Sequence, residues 1–267
     1  MIKLNILPVP TFGRLGVNYA ERETKLPEKE IITVPGGSQQ CIIQYKTTDS
    51  DTLVTIGKGA QLKLIQIFDG RTKSVSVLKN ELADNARLEL IQLYLGGDTV
   101  SETITELNGT KAEFSADIGY DLGAGDELDL NIVSEHYGRK STSEINVSGV
   151  LRDDSKKTFK GTIDFRKGAV GAQGNEKEDV ILMNPEVVNK SVPVILCGEE
   201  DVVGNHGATI GRIDGRLVFY MKSRGISEEK IYELATHSKL MRIIRKIGDE
   251  QAEKRIYNAL GWGDDIE

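Results

Sequence analysis

The chain has three histidines, His136, His206 and His237, and two cysteines, Cys41 and Cys197. One segment, Cys197-Gly-Glu-Glu-Asp-Val-Val-Gly-Asn-His-Gly-Ala-Thr-Ile-Gly211, gathers a thiol, three carboxylates and an imidazole within ten positions. Thiolate and imidazole bind zinc, iron and iron–sulfur clusters, whereas carboxylates are harder donors. Glycines at 204, 207 and 211 let the backbone come close to whatever is held there. A structural reading stands beside this one: Cys197 ends the strand Val192-Pro-Val-Ile-Leu196, and Glu199, Glu200 and Asp201 form a solvated turn. Both remain open for Cys197 and for His206. Of the other candidates, His136 reads as a strand or turn residue touching a neighbouring rung, Cys41 as core, and His237 as a surface or half-buried helix residue. Two cysteines cannot make a disulfide framework or a complete CxxC-type zinc site, and they suit a reducing compartment. The sequence contains no Walker-type phosphate loop, no HExxH and no GxSxG elbow.

The elements around these residues fall into three zones: an irregular arm (1–30), a long β body (31–215) and a helical region (216–267). The first thirty residues hold three of the six prolines and show no sustained periodicity. The β body consists of short Val-, Ile-, Leu- and Thr-rich runs punctuated by Gly, Asn and Asp, as strands and turns require. Within it Gly59-Ala60-Gln-Leu62-Lys-Leu64-Ile-Gln-Ile67 recurs as Asn85-Ala86-Arg-Leu88-Glu-Leu90-Ile-Gln-Leu93. Fainter copies are Gly109-Thr110-Lys-Ala112-Glu-Phe114 and Gly125-Asp126-Glu-Leu128-Asp-Leu130-Asn-Ile132. Aligned at 60, 86, 110 and 126, the copies are spaced by 26, 24 and 16 residues. A turn followed by inward apolar and outward charged residues, repeated at this spacing, predicts a stacked β-solenoid; a β-sandwich of short strands is the competing architecture. Further on, Ser227 is placed to cap a helix with Glu228 and Glu229 in its first turn. Ile231, Leu234, Leu240, Ile243, Ile244 and Ile247 give that helix an apolar face. Gly248 closes it and Asp249 caps another.

The 34 basic and 41 acidic residues leave a formal charge of −7, which argues against sequence-independent nucleic-acid binding, since that relies on neutralising phosphates. No apolar run approaches the ~18–20 residues of a membrane span, and the N-terminus lacks a signal-peptide layout. The chain is expected to be cytoplasmic.

His206-Gly-Ala-Thr-Ile-Gly-Arg-Ile-Asp214 and Phe219-Tyr-Met-Lys-Ser-Arg-Gly-Ile-Ser-Glu-Glu229 together resemble the C-terminal signature of the SufB/SufD family of the SUF iron–sulfur cluster assembly machinery. His136-Tyr-Gly-Arg-Lys-Ser-Thr-Ser143, Gly149-Val-Leu-Arg-Asp153 and Phe159-Lys-Gly-Thr-Ile163 resemble the family's HxxxxTxS, GVLxD and FxGxI segments. The resemblance runs from about residue 120 to 235 and implies a right-handed parallel β-helix with a short C-terminal helical region. It further implies a non-enzymatic scaffold that pairs with a SufB-like subunit or a second copy of itself. The SUF ABC-type ATPase would dock at the helical region, around Arg224, Gly225, Ile226, Ser227, Glu228 and Glu229. The N-terminal helical domain of many members is expected to be missing. In SufB a cysteine and an HEAT box occupy positions that fall here on Glu178 and His206-Gly-Ala-Thr209, so the chain is SufD-like. His206 is then the expected cluster-assembly and metal residue, shared with a partner, with Cys197 as the nearby thiol. The cofactor expected is a nascent iron–sulfur cluster, transient and partner-shared, with none bound tightly to the isolated chain. Two alternatives are a homodimeric β-helix module that regulates the ATPase without touching a cluster, and a β-helix carbohydrate-active enzyme. Few aromatics and the absence of a secretion signal weigh against the enzyme.

Overall fold

The structure is a computed structural model that describes residues 1–10, 13–69 and 73–262. Residues 11–12 of the expected arm and 263–267 of the expected helical region lie outside the described residues. Strands β1 (Ile2–Leu4) and β2 (Ala20–Arg22) pair antiparallel within the first segment. Next come β3 (Glu30–Val34), β4 (Gln39–Lys46), β5 (Ser50–Ile56), β6 (Gln61–Phe68), β7 (Lys73–Leu82), β8 (Arg87–Leu95) and β9 (Asp98–Leu107). The body continues with β10 (Glu113–Leu122), β11 (Glu127–His136), β12 (Thr142–Leu151), β13 (Lys156–Phe165), β14 (Ala172–Leu182), β15 (Val188–Cys197) and β16 (Val202–Gly211). Helices α1 (Gly215–Ser223), α2 (Glu228–Ile244) and α3 (Glu250–Ala259) follow.

Odd-numbered strands from β3 to β15 stack into one seven-stranded sheet and even-numbered strands from β4 to β16 into another, all with parallel neighbours. The chain therefore alternates between two sheets, one strand in each per rung, and forms the β-solenoid rather than the sandwich. Inward residues of both sheets, such as Leu64, Leu90, Ala116, Leu130 and Phe159, make one continuous core between the sheets. No rung could bury these side chains alone.

The repeat is more regular than the sequence suggested. Leu62 lies beside Leu88 and Leu88 beside Phe114, so successive copies here are offset by 26 residues. The third copy had been matched two residues off, with Thr110 opposite Ala86, whereas Ala112 is the true equivalent. In both copies the alanine closes a four-residue turn, Ala86 N–H donating to Ala83 O and Ala112 N–H to Gly109 O. The residue before it is left-handed, Asn85 at φ 52° and Lys111 at φ 56°. Gly109 drew the match because glycine usually fills such a corner, and here lysine does. The fourth copy, at Gly125, is β11 of the opposite sheet. Both strands of a rung share the same in–out alternation, so the pattern alone does not separate them.

The two outer faces are covered differently. On the even sheet, Ile65, Ile67, Ile91 and Leu93 pack against Leu240, Ile243, Ile244 and Ile247 in and after α2, and against Ile256 of α3. Gly119 of β10 permits that approach, because a Cβ there would stand 2.6 Å from Leu93 and 3.1 Å from Leu240. On the odd sheet the N-terminal segment takes the same role: Leu4 and Ala20 cover Val75, Val77 and Val100, and Leu7 and Val17 cover Val192. Asn5 pins this segment by donating from its backbone N–H to Glu102 and from its side chain to Asp129. The buried Lys160 ammonium donates to Asn5 O and Asp129. An irregular arm lying on the body is what the sequence of 1–30 suggests, and the structure shows it, but these individual contacts carry no local signal.

Candidate functional site

The last rung, β15 and β16, has a neighbour on one side only, because each strand ends its sheet. His206 pairs in register with Glu176 of β14, and Cys197 with Phe165 of β13. Glu176 and Phe165 are inward positions, so both sequence candidates occupy inward positions of the terminal rung. No further rung closes over them, and both residues are exposed. Gly204, two residues before His206, lies against Phe165 and Ile195. Among the described residues no group of three or more His, Cys, Asp or Glu side chains is placed to hold a metal ion. An imidazole and a thiol at an open end thus supply an incomplete ligand set, since iron–sulfur clusters take about four protein ligands.

One rung deeper lies a buried ionic cluster that the sequence reading did not single out. The Lys157 ammonium of β13 donates to the Glu178 carboxylate of β14 and, at 3.2 Å, to Ser191 Oγ. Lys157 and Glu178 are 1% and 2% exposed, which makes this a pair held away from water. Glu176 is buried too, and its carboxyl leans over Gly161, where a Cβ would be 1.9 Å from Oε2. Burial first, and then the charge of Glu178, push Glu176 up to about 8 against the pull of Lys157. Burial likewise lowers Lys157, opposed by Glu178. The Tyr120 hydroxyl beside them is buried without a hydrogen-bond partner. A signal for the cluster did exist: counting alternate residues from Phe159 and Val180 places Lys157, Glu176 and Glu178 inward.

His136 sits inside the solenoid with both ring nitrogens bonded, Nδ1 to Ser141 Oγ at 2.8 Å and Nε2 to Ser143 Oγ at 2.9 Å. Ser141 donates its own proton to Gly138 O, so Nδ1–H is the donor and Nε2 accepts from Ser143. Burial lowers His136 to about 4, so the ring is neutral at physiological pH. It stacks obliquely on Phe165 of the next rung, with ring centroids 4.9 Å apart. The HxxxxTxS-like spacing is thereby explained as a corner brace. Cys41, expected in the core, is exposed instead. It lies in register with the outward Lys63, and the adjacent Ile42 takes the inward place beside Leu64. His237 is on α2 and packs on Trp262 at 3.8 Å between centroids.

The segment from Arg224 to Glu229 is the corner between α1 and α2. Gly225, at φ 85°, ends α1 with its N–H on Lys222 O, and Ile226 N–H reaches Met221 O. Ser227 caps α2 by accepting from Lys230 N–H, while Glu228 pairs with Lys222 at 2.7 Å and Glu229 lies in the first turn. Arg224 lies over the Tyr220 ring at 5.2 Å. The helix this corner presents, α1, has no buried residue, and Leu217, Phe219 and Tyr220 are 50%, 76% and 54% exposed. These side chains leave large apolar area on α1 open to solvent.

Fold and site together define a two-sheet parallel β-solenoid whose last rung exposes an imidazole and a thiol, followed by a helix with no buried residue. Residues 19–238 match the model of the SUF system FeS cluster assembly, SufBD core domain. The chain belongs to that family. It is similar to the iron–sulfur cluster assembly protein SufD of Bacillus subtilis, 27% identical over 61% of this chain and 38% of that one. It is also similar to SufD of Escherichia coli, 23% identical over 78% of this chain and 50% of the relative. The match to SufB of Bacillus subtilis is 26% over 42% of this chain and 24% of the relative. The chain therefore spans half or less of the length of these relatives.

Proposed function

We propose that this chain is a non-enzymatic, SufD-like scaffold subunit of iron–sulfur cluster assembly. It pairs through its terminal rung with a SufB-like subunit, or with a second copy of itself, and docks an ABC-type ATPase through α1 and the Arg224–Glu229 corner. The single observation that carries this reading is the open last rung. It presents His206 and Cys197 at inward positions with too few ligands for a cluster, so a partner must contribute the remainder. The nascent cluster is cargo at that junction, held transiently by residues of both subunits. His206 can offer one nitrogen ligand there and Cys197 one thiolate. The exposed Val203 and Ile210 of β16 supply apolar area for a partner strand, and the free edges of β15 and β16 supply its hydrogen bonds. Phe219 and Tyr220 supply the corresponding area for the ATPase.

Co-expression of the tagged chain with a SufB-like subunit and the ATPase tests this division of surfaces. Ile210→Asp is expected to lose the SufB-like subunit and keep the ATPase, and Phe219→Asp is expected to do the reverse. Both positions are exposed, so the chain itself should stay folded. Retention of both partners by both variants would overturn the assignment.

A further inference from the structure

A groove runs along the solenoid corner that faces α2 and α3, away from the last rung and adjoining the Arg224–Glu229 corner, with which it shares Glu228 and Glu229. It consists of two hollows, of about 710 and 420 Å³, that share Asp121, Arg152 and Leu260. Its floor in the smaller hollow is apolar, with Met183 and Trp262 only 9% and 6% exposed. Its walls carry eight carboxylates against two basic residues, Lys73 and Arg152. The lining thus holds six more carboxylates than basic residues. Internal pairing satisfies only part of this excess. Arg152 is committed to Asp121, contacting both carboxylate oxygens at 2.8 and 3.1 Å. Asp98 is held by Arg22 and by Lys73, Glu127 by Lys156, Glu228 by Lys222 and Glu233 by Lys230. Asp153 and Glu229, on opposite walls of the smaller hollow, have no ion-pair partner among the described residues.

We propose that this groove docks a basic, partly apolar segment of a protein partner, a lysine or arginine entering between Asp153 and Glu229 with an adjoining apolar side chain on Met183 and Trp262. Charge complementarity selects this occupant. A nucleic acid would be repelled, and a lone cation would leave the apolar floor unused. The inference does not depend on which protein α1 engages.

The test uses the full chain and a fluorescein-labelled peptide of alternating lysine and leucine, read by anisotropy against the same peptide with glutamate replacing lysine. The lysine peptide should bind and the glutamate peptide should not. The double reversal Asp153→Lys with Glu229→Lys should weaken binding about tenfold, the scale of two exposed ion pairs lost. Tyr232→Ser, also on the groove wall, should weaken it as well. A matched reversal of two exposed carboxylates outside the groove that have no ion-pair partner among the described residues, Glu28→Lys with Glu144→Lys, should change nothing. Equal loss in both reversals would show general charge attraction only and overturn the proposal. So would an unchanged affinity in the groove variants.

Discussion

Side chains inside the solenoid carry more consequence for stability than the two candidates at its end. His136→Ala should cost about 3 kcal/mol or more, because it leaves a cavity and two buried hydroxyls without their partner. Chemical denaturation at pH 7 measures this. Lys157→Met should cost about 3–5 kcal/mol, since it strands the Glu178 carboxylate in a buried site. Combining it with Glu178→Met should recover most of that loss. The pH dependence follows from Glu176. Its folded value of about 8 lies above the ordinary 4.5, so between those limits the folded chain keeps a proton that the unfolded chain releases. Stability should fall as pH rises through that window. Glu176→Gln, neutral at every pH, should flatten this part of the profile. His136 has the opposite sign: its value near 4 lies below 6.5, so stability from this residue is lost as pH drops through that interval. His206→Ala, by contrast, should leave stability unchanged, because the residue is exposed on the final strand. His206 stands out in the sequence as a candidate by its glycine-flanked setting, whereas Lys157 and Glu176 carry no such mark and Glu178 enters only as the position of a cysteine in SufB. Charged residues in a strand are ordinarily assigned to the solvent face, and these three are recognised as inward only by counting alternate residues from Phe159 and Val180.

At the scale of elements, one corner column repeats a left-handed residue followed by a small buried one: Gly59-Ala60, Asn85-Ala86, Lys111-Ala112, Lys140-Ser141 and Gly171-Ala172. Lysine is poorly suited to that conformation, at a cost of roughly 1–2 kcal/mol, while glycine gives part of this back through unfolded-state entropy. Lys140→Gly should therefore raise stability by about 0.5–1 kcal/mol, seen as a higher denaturation midpoint. The strong repeats at 60 and 86 were readable because their corner residues and inward leucines coincide. Later copies blurred where lysine replaced glycine or asparagine at the corner. Helix α2 and its caps, Ser227 and the Gly248-Asp249 junction, were also readable, since capping depends on local hydrogen bonds. The arm's contacts were not. Its hold on the odd sheet depends on Asn5 meeting Asp129 and Lys160, more than 120 residues away in sequence, and no local pattern encodes that contact.

Seen as a whole molecule, the solenoid has one sheet face under the arm and the other partly under α2 and α3, with the last rung uncovered. Exposed apolar side chains on β16 and α1, and the free edges of β15 and β16, are the surfaces proposed for partners. The acidic groove adjoins the α1–α2 corner and shares Glu228 and Glu229 with it. No helix among the described residues is long and apolar enough to cross a membrane. The central claim is that His206 completes a ligand set only with a partner. Its most direct test is the iron and acid-labile sulfide content of the complex, purified anaerobically with a SufB-like subunit and the ATPase, for wild type and His206→Ala. The account predicts that the variant complex assembles intact and loses its cluster. An intact variant complex with unchanged iron and sulfide would contradict it and leave the chain a spacer between its partners.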